Sequence, residues 1–204
     1  MTRIFDMEGN YLVGLRGANL KDTLRLSLAN GFTLAGADLR NVDLSELRLE
    51  RPHFDKASFD KSRLVDVEMP QGNFAHASLN QVYAIGAEFR ECTFEAAHLI
   101  EGVFERSEFI ECDMEMTQLM GSDFIDAKLI RCNFRGAICE RANFKGAILA
   151  HSSFRDAYLV DANLEGTDLS FTDFTGARIH NINLRGAKFN DTKGLYGVLD
   201  WRPD

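Results

Sequence analysis

A chain of 204 residues, 45% of them hydrophobic, is long enough to build a real core in one domain or two, which excludes disorder as the default. Its formal charge of −8, from 31 Asp and Glu against 23 Lys and Arg, argues against direct nucleic-acid binding or anionic-membrane binding through bulk positive charge and leaves a basic partner open. No apolar run approaches the roughly 18 residues of a membrane span, residues 1–8 lack the apolar stretch of a signal peptide, and four cysteines without metal-ligand spacing read as reduced thiols. The expectation is a soluble, cytoplasmic protein with no cofactor.

Residues 1–33 read as an N-terminal cap. Ile4-Phe5-Asp6-Met7 and Tyr11-Leu12-Val13 flank Glu8-Gly9-Asn10, the pattern of a short hairpin. Next, Asn19 as N-cap, Leu20, Leu24 and Leu28 at i+4 spacing, and the stop Asn30-Gly31 predict a helix of about ten residues lying over the start of the next segment. Leu24, Leu26 and Leu28 also alternate, so a strand is the rival reading.

Residues 34–191 are organised by a repeat. From Leu34 to Phe189 every fifth residue is large and apolar except Ala84 and Cys139; of these 32 positions, 14 are Leu and 13 are Phe, which accounts for most of the 16 Phe in the chain. Two residues earlier the side chain is usually small, as at Ala37, Ala57, Ala77, Cys92 and Ala97. A period of five fits neither a helix nor a plain strand. Positions two apart point the same way in extended chain, however, so each unit turns one large and one small side chain inward and three polar ones outward. Glycine often follows two after the centre, where a turn can use its positive φ.

Units such as Ala37-Asp38-Leu39-Arg40-Asn41, Ala142-Asn143-Phe144-Lys145-Gly146 and Ala162-Asn163-Leu164-Glu165-Gly166 resemble the A(D/N)LXX consensus of the pentapeptide-repeat family. The resemblance implies an all-β solenoid, a right-handed quadrilateral β-helix with four pentapeptides per coil. Eight coils at about 4.8 Å each would make a rod about 38 Å long. Residues 20 apart then stack. One face collects Leu34, Phe54, Phe74, Phe94, Met114, Phe134, Phe154 and Phe174, and the next is mostly Leu. Ala84, between Leu64 and Phe104 in its column, is expected to leave a small void or to shift Phe104. Residues 192–204 form a C-terminal cap or dimerisation tail, in which Leu195, Tyr196, Leu199 and Trp201 can lid the last coil or meet a second copy in a homodimer.

The stacking rule also arranges the chemistry. Cys92, Cys112 and Cys132 lie 20 apart at the small inward position, where parallel side chains cannot converge on a metal; they read as small hydrophobes. His53, His76, His98, His151 and His180 fall at outward positions of different coils without a partner at catalytic spacing, so the expectation is a protein that is not an enzyme. Between Glu88 and Asp126 there are 11 acids against Arg90 and Arg106, a local surplus of nine negative charges. Glu88 lies under Glu108, Glu91 under Glu111, and Glu95 under Glu115, with Asp113 beside them. Lys128, Arg131 and Arg135 come next in the same columns, so one reading is a set of solvated ion pairs. The other is a partner-binding belt, because Ile110 beneath Ile130 and Ile100 beneath Met120 add outward apolar surface. The function expected is a non-catalytic protein-binding module. The alternative comes from the resemblance: Qnr-like members look like B-DNA to type II topoisomerases, which implies DNA gyrase as partner. Duplex DNA carries a charge about every 1.7 Å; the acidic belt matches that density over only about two coils.

Overall fold

The computed structural model describes residues 2–195. The outward residue before each centre is bridged in parallel to the one twenty positions later, from Asp38↔Ser58 through to Asp173↔Lys193. Each turn of the chain is therefore a four-sided rung of twenty residues. The faces are numbered here by the first core residue of each column, Leu34, Leu39, Leu44 and Leu49.

The pentapeptide unit is explained by where its five N–H groups go. The centre donates to the next rung, as Phe59 N–H does to the Ser78 carbonyl at 2.7 Å, and so does the corner residue two later, as Lys61 N–H does to Asn80 at 2.9 Å. The residue before the centre donates to the rung below, as Ser58 does to Ala37 at 2.9 Å, and the small residue closes the corner on the preceding centre, as Ala57 does on Phe54 at 3.0 Å. Only the N–H just after the centre has no place in the ladder, and a side chain takes it. Asp113 Oδ1 accepts from Glu115 N–H at 3.1 Å, Asp123 from Ile125 at 3.0 Å and Asn163 from Glu165 at 3.1 Å. An Asp or Asn before the centre thus satisfies a donor that would otherwise be orphaned.

Every corner residue from Gly36 to Asp191 has positive φ, 24 of them not glycine. Left-handed backbone is costly for β-branched side chains, and no Val, Ile, Thr or Pro occupies any of these corners.

The core is filled by aromatic stacks at staggered heights. On the first face Phe74 and Phe94 lie 4.8 Å apart and nearly parallel, as do Phe134 and Phe154 at 4.6 Å. The opposite, third face carries a second stack, Phe104, Phe124 and Phe144, spaced 5.0 and 5.3 Å. Rungs therefore hold volume roughly constant by exchanging Phe for smaller residues between faces rather than by keeping Phe on one side. Ala84 is fully buried. Above it the Phe104 ring lies over Gly102, where a β-carbon would come within 2.5 Å of the ring.

Two elements cap the start. The antiparallel hairpin of β1 (Thr2–Phe5) and β2 (Tyr11–Leu15) pairs with the first rung, through Asp38 N–H to the Phe5 carbonyl at 2.8 Å and Met7 N–H to Gly36 at 3.1 Å. Helix α1 (Leu20–Ala29) is N-capped by Asn19, whose side chain accepts from Asp22 N–H at 2.8 Å. Leu24 is buried with Thr23 and Ser27, while Leu26 is 49% exposed, the helical rather than the strand alternation. Lys21 Nζ reaches the Ser45 carbonyl at 2.6 Å and ties the helix to the first rung. Leu195 is buried against the last rung; Tyr196, Leu199 and Trp201 lie outside the described residues.

Candidate partner-binding corner

The fourth face is the most regular. There β3 (Glu88–Arg90), β4 (Glu108–Ile110) and β5 (Lys128–Ile130) form a three-stranded parallel sheet in register. At the corner after it, Cys92, Cys112 and Cys132 do not close on the preceding centre. Their thiols instead donate to the carbonyls of Met69, Phe89 and Phe109 in the rung below, at 3.0, 3.1 and 3.1 Å. Ser152 and Thr172 continue the column with hydroxyls 2.7 and 3.0 Å from Leu129 and Leu149. The cysteines are therefore polar links between rungs as well as small core residues. The neighbouring Cys112 and then burial push the Cys92 thiol far up, burial pushes up Cys112 and Cys139, and such thiols are poor nucleophiles.

Outside this corner stand the acids. Glu88 and Glu108 lie on the fourth face, Glu91 and Glu111 at the turn, and Glu95, Asp113 and Glu115 on the adjoining first face. All seven belt acids thus meet along one edge of the rod. The other four of the 11, Glu101, Glu105, Asp123 and Asp126, belong to the second and third sides. Ile110 and Ile130 stack on the acidic edge as paired residues of β4 and β5, whereas Ile100 and Met120 sit on the second face, opposite to it. The belt is two surfaces, not one.

The edge carboxylates also divide by partner. Arg90 reaches both Glu88 and Glu108, Lys128 Nζ lies 2.6 Å from Glu108, and Arg131 lies 3.0 Å from Glu111. The Lys128 hydrogen bond, with Arg90 adding charge, holds the Glu108 carboxyl below its ordinary value. Arg135, directly above Glu115 in sequence register, turns instead to Asp156 at 3.7 Å. Among the described residues, Glu91, Glu95, Asp113 and Glu115 have no cationic partner. Glu91 accepts only from Gln71 at 2.8 Å, and Asp113 and Glu115 share the Asn133 amide at 3.0 and 3.3 Å. Rung-to-rung pairing accounts for one half of the edge and leaves the other charged toward solvent.

All five histidines are exposed. Among the described residues no group of three or more His, Cys, Asp or Glu could hold a metal ion, and no helix is long and apolar enough to cross a membrane. Sequence reasoning passed over Tyr83 on the third face, 45% exposed beneath the Arg63 guanidinium at 5.6 Å.

Comparison with known proteins agrees with this architecture. A family described as "Pentapeptide repeat region" matches residues 87–164, and one described as "Pentapeptide repeats (8 copies)" matches residues 33–69 and 152–191. The chain belongs to the pentapeptide-repeat family, and its fold is the right-handed β-helix of that family. Among solved structures it resembles QnrB1, described as a plasmid-mediated fluoroquinolone resistance protein, at 16% identity and TM-score 0.50 over 76% of this chain and 87% of that one. It also resembles HetL of the cyanobacterium Nostoc sp. strain PCC 7120, a protein involved in heterocyst differentiation regulation, at 18% identity and TM-score 0.37 over 84% and 93%. No curated protein sequence matches. Proteins of this family are generally structural or binding modules.

Proposed function

We propose that the protein is a non-catalytic, cytoplasmic binding module that engages a basic surface of a protein partner along the edge between its fourth and first faces. The observation that carries this reading is the row of carboxylates without cationic partners, Glu91, Glu95, Asp113 and Glu115, mounted on a rigid ladder beside the apolar pair Ile110 and Ile130. Electrostatic complementarity of this kind sets specificity and association rate more than affinity. Glu88, Glu108 and Glu111 are committed to Arg90, Lys128 and Arg131 and serve the fold first.

The test is a quantitative comparison of native-host partners captured by the wild type, by Glu91→Lys/Glu95→Lys/Glu115→Lys, and by a control reversal at Asp161 on another corner. The expected outcome is a partner retained by the control, lost by the triple variant, and weakened by salt. Identical partners for the triple variant and the wild type, with unchanged circular dichroism, refute the edge. The second reading, DNA gyrase engaged by a DNA mimic, is supported by the charge density of the edge, which at two rungs of about 4.8 Å covers only about three base pairs of duplex. A gyrase supercoiling assay unaffected by micromolar protein dismisses it. A homodimer through Leu195, Tyr196, Leu199 and Trp201 is checked by light scattering.

A further inference from the structure

A different part of the molecule presents an unfinished β-edge beside a basic groove. On the fourth face, each residue before the centre donates its N–H to the rung below, as Glu68 does to Leu47 at 3.0 Å and Glu88 to Val67 at 2.8 Å. Arg48 holds that position in the first rung, and among the described residues nothing takes its N–H or its carbonyl. On the first two faces the same lower edge is completed by the hairpin, which bonds Gly36 and Asp38. Helix α1 covers the open core but leaves two adjoining hollows, of about 430 and 200 Å³, between its C-terminal half and this rung.

The chemistry around the groove is specific. Leu28 and Phe32, the latter 53% exposed, give it an apolar wall. Arg25, Arg48, Arg51 and His53 surround it against a single carboxylate, Glu50. Arg48 is paired with Glu68 at 2.7 Å and Arg25 with Asp22 at 3.4 Å, but among the described residues Arg51 meets only the neutral Gln71, at 2.7 Å.

We propose that this groove binds an extended acidic peptide segment of a partner protein by β-strand addition, its backbone pairing with Arg48 and Glu50, a carboxylate meeting Arg51, and an apolar side chain lying on Leu28 and Phe32. An exposed edge supplies main-chain bonds and flanking pockets supply side-chain selection, and the guanidinium fork suits a carboxylate. The acidic edge of a second copy does not fit, because its backbone is already paired within its own rungs.

The probe is a displayed library of random octapeptides, selected on the wild-type protein in parallel with Arg48→Glu/Arg51→Glu. Peptides enriched on the wild type are then synthesised with a fluorophore and titrated by anisotropy. The expected result is an enriched sequence alternating acidic and apolar residues. Its affinity falls at least tenfold on the double variant, at least threefold on Arg51→Ala, and at least tenfold when the central amide of the peptide is N-methylated. No enrichment over the double variant, an enriched basic peptide, or indifference to N-methylation overturns the proposal; circular dichroism of both variants checks that the fold is kept.

Discussion

The left-handed corner imposes the strongest rule on individual side chains. Each unit turns through a residue of positive φ, yet most of the corners are not glycine, so the backbone carries a distributed strain that short or unbranched side chains tolerate and branched ones do not. Arg106, exposed with φ 54 and without an ion pair among the described residues, isolates the effect. Arg106→Gly is expected to leave stability unchanged or raise it by up to about 1 kcal/mol, and Arg106→Val to lower it by about 1 kcal/mol or more, read from urea midpoints. Carboxylates set a second rule, about pH. Hydrogen bonding from Ser170, side chain first and then backbone, to Asp168, the same from Ser45 to Asp43, and Lys128 bonded to Glu108 each hold a carboxyl below its ordinary value. The unfolded chain takes up those protons first on acidification. The stability these groups contribute is therefore complete above the ordinary carboxylate range and lost as pH falls through and below it. Urea midpoints should fall from pH 6 toward pH 3, and the slope should flatten in Asp168→Asn combined with Glu108→Gln; equal slopes would show that other groups dominate.

How far each element can be read in advance depends on whether its signal repeats. The rungs are legible because the inward large residue, the inward small residue and the Asp or Asn before the centre recur along 32 units in register, so errors at Ala84 or Cys139 are outvoted. Helix α1 has only its own local signals, and its competing strand reading is settled by packing, since Leu24 turns inward and Leu26 outward. Partnering is less legible still. Stacking places Lys128 over Glu108 and Arg131 over Glu111, and the pairs form; it equally places Arg135 over Glu115, yet Arg135 turns to Asp156, a choice of rotamer that no spacing encodes. The assignment of Ile100 and Met120 to the acidic edge fails for a simpler reason: five residues move a side chain to the next face, and their column is two faces from that of Ile110. For α1 itself, Asn19→Ala removes the acceptor for Asp22 N–H and should cost about 1 kcal/mol, with loss confined to amide protection in residues 20–30.

Taken together, the rungs form a one-dimensional stack in which each layer touches only its two neighbours, and binding surfaces are assigned by position along and around that stack. The acidic edge occupies its middle and the unfinished edge its N-terminal start, so two partners could be held at a fixed separation by a rigid spacer. The twenty-residue bridge from every rung to the next has one more consequence, which concerns force. Pulled along the axis from its last described rung, the rod has, among the described residues, no bond that spans more than one layer, so it should peel rather than snap. Each released layer converts about 5 Å of height into about 70 Å of extended chain. Optical-trap extension traces should therefore show a ladder of nearly equal steps of about 65 Å, and a single all-or-none rip would mean that the layers are mechanically one body.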